Sequence, residues 1–252
     1  MVLAIVATVL LQEQVSLRPG LVITKSATVR KQEYIFPNDD ETSTNGAIII
    51  KGDDITVDFN GATLRGTDEE TEPDKRKGTG LTILGNNVIV RNLNVHGYKV
   101  AISARYCKNL KIVGCDLSYN WKQHLGSTLE REDTADWMSY HQNEKDEWLR
   151  YGAAIYLRDC NDFEVKGCTA HGGQCGLMMT ECNGGLAWNN DFSFLSGIGV
   201  GLYHSSNNRV LYNKIDWCVR GYSHGVYNRG QDSAGILIYE QSNDNVFAYN
   251  SV

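Results

Sequence analysis

A single column of residues, recurring at a near-constant step, limits what this chain can fold into more than any other feature. Asn60, Leu93, Cys115, Cys168, Asn190, Asn213 and Asn250 form the column. Three residues before each stands an apolar side chain (Val57, Val90, Ile112, Val165, Ala187, Val210, Phe247). Two after each stands another (Ala62, Val95, Leu117, Ala170, Phe192, Ile215, Val252). The column advances by 33, 22, 53, 22, 23 and 37 residues. The unit is therefore about 22 residues, and three intervals carry excesses of about 11, 31 and 15. Self-similarity at such a period belongs to chains that stack one supersecondary unit on the next.

Each unit contains short alternations such as "VIV" at 88–90, "LKI" at 110–112 and "AIYL" at 154–157. Alternation at period two marks strands with one buried face. No unit has room for a crossover helix, which excludes a doubly wound or barrel α/β fold. What is left is an all-β solenoid, a parallel β-helix in which equivalent residues of adjacent coils lie about 4.8 Å apart. Asn in an internal corner satisfies its buried amide on the Asn above and below. Cys is small and tolerates burial, so it replaces Asn there. The three excess segments begin about six residues after a column position, near Gly66, Trp121 and Val219. They are expected to leave the coil at one corner and to emerge as loop insertions along one edge.

Composition sets the outer limits. Lys and Arg number 24 against 30 Asp and Glu, a net charge of −6, so the basic surplus of a nucleic-acid binder is missing. No apolar run approaches the roughly 20 residues of a membrane span. The opening "MVLAIVATVLL" is apolar but lacks a basic leader and a clear cleavage site; it reads equally as a signal-peptide remnant and as a first strand. Seven Cys is an odd number. Cys107, Cys160 and Cys182 stand eight residues before column positions, and Cys115 and Cys168 stand in the column. Stacked Cys fall within disulfide range, although a buried ladder of small side chains is the simpler reading. Neither a zinc-site spacing nor a Ser/His/Asp nucleophile signature is present.

The ladder, with phrases such as "DDITVDFNGATLRG", "NNVIVRNLNVHG" and "SNDNVFAYNSV", resembles the right-handed parallel β-helix repeat proteins of the pectate-lyase-like superfamily. These include carbohydrate-binding and sugar-hydrolase modules and NosD-like periplasmic proteins. The resemblance covers 46–252, with 1–45 as an N-terminal segment whose Pro19–Phe36 is expected to cap the stack. It implies a secreted or periplasmic protein whose partner is a polysaccharide or oligosaccharide. The last unit stops two residues past Asn250, so missing C-terminal coils or an end-to-end partner are expected to cover that end.

The insertions differ in chemistry. The first, "TDEETEPDKRKG", is charged and without aromatics, and reads as a solvated loop. The second, 122–151, carries Trp137, Tyr140, Trp148 and Tyr151 among His124, Asp133, Asp136, His141, Glu144, Asp146 and Arg150. Its stretch 133–151 is compatible with a helix from an Asp or Thr cap. It reads either as a lid packed on the solenoid or as one wall of a binding cleft. The third, 219–235, sets Arg220, Tyr222, His224, Tyr227, Arg229 and Asp232 among glycines, a content suited to a site. Beside that edge Arg105, Arg158, Thr180 and Tyr203 fall in one outward column, with Tyr239 near it, and His96, Ser118, His171, Ser193 and Asp216 fall in another.

Removing a proton alpha to a carboxylate requires that the carboxylate be neutralised and a base positioned. The resemblance implies Arg or Lys with Ca²⁺, or Tyr and His, for these roles. The catalytic candidates are Arg229, His224, Tyr222, His141 and Tyr140. Trp137, Arg150, Arg158, Tyr203, Arg220, Tyr227 and Tyr239 are candidates for gripping sugar. Asp133, Glu144 and Asp232 could supply oxygens to Ca²⁺. The leading expectation is a lyase or epimerase on uronate-containing glycans. The alternatives are a glycoside hydrolase, for which Glu144, Asp146, Glu181, Asp232 and Glu240 are available, and a non-catalytic carbohydrate-binding module.

Overall fold

The computed structural model describes residues 14–40, 42–128, 130–220 and 233–252. Two parallel sheets run the length of the molecule. The first stacks Gln14–Val15, Ala27–Val29, Thr56–Arg65, Ile89–His96, Lys111–Val113, Glu164–Lys166, Leu186–Trp188, Arg209–Leu211 and Val246–Ala248, with Glu33–Ile35 also paired to Thr56–Arg65. The second stacks Leu21–Ile23, Ile48–Lys51, Lys77–Leu84, Tyr98–Arg105, Ala153–Arg158, Leu177–Thr180, Ile198–Tyr203 and Ala234–Tyr239. The chain alternates between them, so each coil adds one strand to each sheet. A third line of contact follows the first sheet, as single bridges joining Asn94, Asp116, Thr169, Asp191, Lys214 and Ser251 in turn. This is a right-handed parallel β-helix. None of the described helices is long and apolar enough to cross a membrane.

The apolar column of the sequence is the register of the first sheet. Val57 pairs with Val90, Val90 with Ile112, Ile112 with Val165, Val165 with Ala187, Ala187 with Val210 and Val210 with Phe247. Those side chains point inward with Ile102, Ile155, Leu177 and Val200 of the second sheet, and together they fill one continuous core. All seven Cys lie free and buried in or beside it. Their thiols donate to backbone carbonyls, as Cys160 does to Ala104 O and Cys218 to Phe192 O, both at 3.4 Å.

The Asn ladder forms at one end only. Asn190 Nδ2 donates to Asn213 Oδ1 at 2.9 Å, and Asn213 Nδ2 to Asn250 Oδ1 at 3.1 Å. Asn60 is not part of it. A bulge between Asp58 and Ala62 places Ala62, not Asn60, opposite Leu93. Asn60 therefore sits exposed on the bulge, with φ of +53°. The opposite corner carries a second ladder, in which Gly185 N donates to Asn208 Oδ1 and Asn208 N to Asn245 Oδ1, both at 2.8 Å.

The long intervals between sheets run from the first sheet to the second. The interval after Arg65 holds a 3₁₀ turn at Pro73–Lys75 and is not a free solvated loop. Buried Arg76 donates to Tyr119 O at 2.6 Å and Asn120 O at 3.1 Å, and Trp121 Nε1 donates to Asp74 O at 3.0 Å. The interval from Trp121 to Gly152 contains no α-helix in its described residues. It forms two 3₁₀ turns, Thr134–Asp136 and Glu147–Tyr151. Trp137 is already extended after the first, and Asp146 enters the second with φ of +63°. Side chains take the backbone donors that a helix would use, as when Asn143 Oδ1 accepts from Trp148 N at 2.8 Å.

Replacing Asn213 with Ala removes partners from Ala187 O, Leu211 O and Asn190 N. Loss of about 2 kcal/mol or more is expected, read as a lower midpoint in urea unfolding.

Candidate functional site

The site region is built on the outward face of the second sheet. Side chains at alternate positions of each strand point away from the core. One outward column runs Thr82, Ser103, Tyr156, Met178, Gly201, Leu237, and the next runs Arg105, Arg158, Thr180, Tyr203, Tyr239. The second insertion lies down on these columns. Met138, Tyr140, Trp148 and Tyr151 pack against Tyr156, Met178 and Tyr203 in a second apolar cluster. Trp148 meets the rings of Tyr140 and Tyr203 edge-on, each at 5.4 Å. Gly201 lies beneath Met178 and Trp148; a Cβ there would press on the flexible end of Met178, 2.8 Å from Cε, and would touch Trp148 Cζ3 at 3.4 Å. The insertion is thus a packed cover.

A polar latch fastens it. Asp146 Oδ2 stands 2.9 Å from Arg105 Nη2, and Oδ1 stands 3.0 Å from Arg158 Nη1 and accepts from the Tyr156 hydroxyl at 2.8 Å. Arg158 also donates to Asn143 O at 2.9 Å and Glu144 O at 3.0 Å. Asn143 Nδ2 reaches Tyr156 at 3.0 Å and Thr180 Oγ1 at 2.6 Å. Burial alone would raise the Asp146 carboxyl, but the Tyr156 hydroxyl and the two guanidiniums hold it below the ordinary range.

Several residues expected to face sugar are therefore engaged in structure. Arg158 belongs to the latch. Tyr203 is buried, and its hydroxyl donates to Glu144 Oε1 at 2.5 Å. Burial and that carboxylate push Tyr203 up to about 12. Arg220 is buried and donates to Asp136 O at 2.5 Å and Gln123 Oε1 at 3.1 Å, tying the third interval to the second. Arg150 lies over the Tyr151 ring at 4.6 Å and donates to Ser139 O at 3.2 Å. Tyr140 is buried between Trp148 and Tyr151, and burial pushes its hydroxyl well above the usual value. Trp137 stays 54% exposed, with Nε1 donating to Glu132 Oε1 at 3.2 Å. Arg229, His224, Tyr222, Tyr227 and Asp232 lie outside the described residues.

Two of the expected residues meet in an accessible place. His141, from the cover, is hydrogen bonded through Nδ1 to the Tyr239 hydroxyl, with ring centroids 5.4 Å apart. They line a pocket of about 180 Å³ with Met138, Tyr140, Leu237 and Ser233.

The expectation of Ca²⁺ finds no support. Asp133 Oδ1 accepts from Ala135 N at the first 3₁₀ turn, whereas Glu144 accepts from Tyr203. Among the described residues no group of three His, Cys, Asp or Glu could hold a metal ion.

Two features are not assembled by the sequence reading, which has Glu181 only as one available carboxylate and does not single out Asp159. Asp159 and Glu181 stand in consecutive coils beside Arg158, each 3.6 Å from its guanidinium. Burial, a hydrogen bond to Glu181 and its charge raise the Asp159 carboxyl. At the corner entering the second sheet, in earlier coils, a larger pocket of about 410 Å³ opens between the first insertion and His96, Asp116 and Tyr119. His96 was legible as an outward residue. Asp116 and Tyr119 gave no signal beyond being polar and aromatic near a corner.

The geometry defines a parallel β-helix covered on one sheet by an insertion. Residues 23–252 match the family described as "Periplasmic copper-binding protein (NosD)", and the chain belongs to that family. It is a periplasmic or secreted protein. No curated protein matches the chain significantly. The enzymatically active domain of tailspike protein 2 from bacteriophage CBA120 is 10% identical, over 91% of this chain and 39% of that one, with a TM-score of 0.41. QnrB1, a plasmid-mediated fluoroquinolone resistance protein, is 14% identical, over 87% of this chain and 92% of that one, with a TM-score of 0.17. The chain thus spans well under half of the tailspike domain, and neither likeness bears on function.

Copper in proteins takes thiolate, thioether and imidazole ligands. The described Cys thiols do not fit that need. The Cys thiols are enclosed in the core, with Cys175 and Cys218 pushed up by burial, the latter to about 12. Contact with Cys160 and burial raise Cys107 in the same way.

Replacing Asp146 with Asn takes the counter-charge from buried Arg105 and the nearest one from Arg158, which keeps Asp159 and Glu181. A loss of about 3 kcal/mol is expected in thermal unfolding. The native Asp146 pKa is depressed, so the latch is whole above the ordinary Asp value of about 4 and is lost as pH falls through the lower, folded-state value. Acid titration followed by near-ultraviolet circular dichroism should show a step in the native protein that D146N lacks.

Proposed function

We propose that this protein acts on a uronate-containing glycan, as a lyase or epimerase, with His141 and Tyr239 as its proton-transfer pair. The observation that carries this reading is their hydrogen bond at the mouth of the pocket beside the cover. A hydroxyl bonded to an imidazole can pass a proton either way. In a lyase His141 takes the C5 proton of the uronate, the C4–O bond breaks, and Tyr239 protonates the leaving oxygen. In an epimerase the proton is returned to the other face of C5. The substrate carboxylate must be neutralised. Arg105, Arg158 and Arg220 are held by other partners, so Arg229 is the candidate for that role.

A second reading, glycoside hydrolysis, has one observation in its favour. Asp159 and Glu181 stand side by side, and burial, a hydrogen bond to Glu181 and its charge raise the Asp159 carboxyl; a carboxyl so raised is what acid-assisted hydrolysis uses.

The test is incubation with alginate, polygalacturonate and neutral polysaccharides. Unsaturated products are followed by ultraviolet absorbance, reducing ends by colour assay, and C5 exchange by proton NMR in D₂O. Absorbance or C5 exchange on a uronate polymer is expected, with kcat lower by about 10²-fold or more in H141A and Y239F. New reducing ends without absorbance, lost in D159N or E181Q, would replace the first reading with the second. Silence in every channel would leave a binding module.

A further inference from the structure

The 410 Å³ pocket lies at the corner that leads into Tyr98–Arg105, four coils before the strand that carries Tyr239. It lies beside the bridge line that joins Asn94 to Asp116, and the first insertion closes one side. The proposed chemistry uses none of its residues. Its volume is in the range of small-molecule sites, about 300–1,000 Å³.

The walls are fixed by contacts that also decide what they offer. His96 Nδ1 stands 2.8 Å from Ser118 O. A carbonyl only accepts, so the neutral ring carries its proton on Nδ1 and keeps a lone pair on Nε2. Asp116 Oδ1 accepts from Ser118 N at 3.1 Å, and Oδ2 is left for a further donor. Arg65 lies between Glu33 at 2.6 Å and Glu69 at 3.2 Å. Tyr119 is 62% exposed, with φ of +55°, and its ring centroid is 6.4 Å from that of His96. A large apolar ring held outward in a left-handed conformation is an unusual placement. Room for it comes from Gly172 of the next coil, where a Cβ would meet Tyr119 Cδ1 at 2.9 Å.

Charge narrows the ligand. The lining holds the guanidiniums of Arg65 and Arg76 against the carboxylates of Asp68, Glu69 and Asp116. A carboxylated sugar would meet a net negative wall. A neutral sugar would find acceptors for its hydroxyl protons at His96 Nε2 and Asp116, and a ring face at Tyr119. The same corner exposes Phe194 two coils on and Trp217 three coils on, so further sugar units would have apolar rings to rest on. The geometry points to a binding site for a neutral pyranose unit of a glycan running along the solenoid axis, separate from the His141–Tyr239 pocket and independent of the chemistry proposed there.

Isothermal titration of the whole protein with β-1,4-linked gluco-, manno- and xylohexaose, and with hexagalacturonate as the acidic control, tests this. At least one neutral hexasaccharide should bind, and hexagalacturonate should not compete for that site. D116N and Y119A should each weaken the neutral ligand by about tenfold, equivalent to about 1.4 kcal/mol, and H141A should leave it unchanged. Tyr119 is exposed and D116N is nearly isosteric, so both variants are expected to fold, as circular dichroism would check. No binding of any neutral hexasaccharide, competition by hexagalacturonate, or full affinity in both variants would overturn the proposal. Loss of turnover in H141A with sugar binding intact would bear only on the other pocket.

Discussion

Everything in this molecule depends on register between coils. Each inward or outward residue is placed by the one beneath it, and the buried Asn of the ladders find their partners in the adjacent coil. Asn190, Asn213 and Asn250 show why the register is strict. An amide in the core must both donate and accept, and an identical amide one strand spacing away does both. Sliding any coil by one residue would turn its apolar column outward and strand those amides. The same register brings Arg105 beside Arg158 and Tyr203 beside Tyr239. Distant parts of the sequence become a surface only through it.

That surface then acquires a cover that has almost no regular structure of its own. The second insertion is ordered by what it lies on. Aromatic rings fill the outer face of the second sheet, and Asp146 closes the polar end against two guanidiniums. Its affinity for the sheet explains why Tyr140, Trp148 and Tyr151 are enclosed in a loop otherwise rich in exposed polar residues. What it leaves open is its margin, where His141 reaches Tyr239. Where the second insertion leaves the coil, the first is anchored through Arg76, whose buried guanidinium donates to the main-chain carbonyls of Tyr119 and Asn120.

The stacking was legible because it is periodic. Val57 through Phe247 pair as their spacing implies, and a chain with that alternation has few other ways to bury it. Asn60 misled because spacing cannot reveal a bulge; the extra residues between Asp58 and Ala62 move it out of line. The ladder through Asn208 and Asn245 was hidden because other coils fill the corner with different residues. For the site, an outward column told where Arg158 and Tyr203 lie but not that a cover would engage them. Charge composition suggested a solvated first insertion. It could not show that Arg76 would find carbonyls enough to be buried. The pocket at His96 depends on three segments that have no sequence relation to one another.

The position of the latch also bears on the order of events in folding. Arg105 precedes the second insertion and Arg158 follows it, 53 residues later. Asp146 can engage both only when the two strands already lie side by side. The intervening loop is thus closed at its base before its tip has anything to hold, and the entropy of that closure must be met by strand pairing alone. The coils are the template, and the cover is the last part to settle on them.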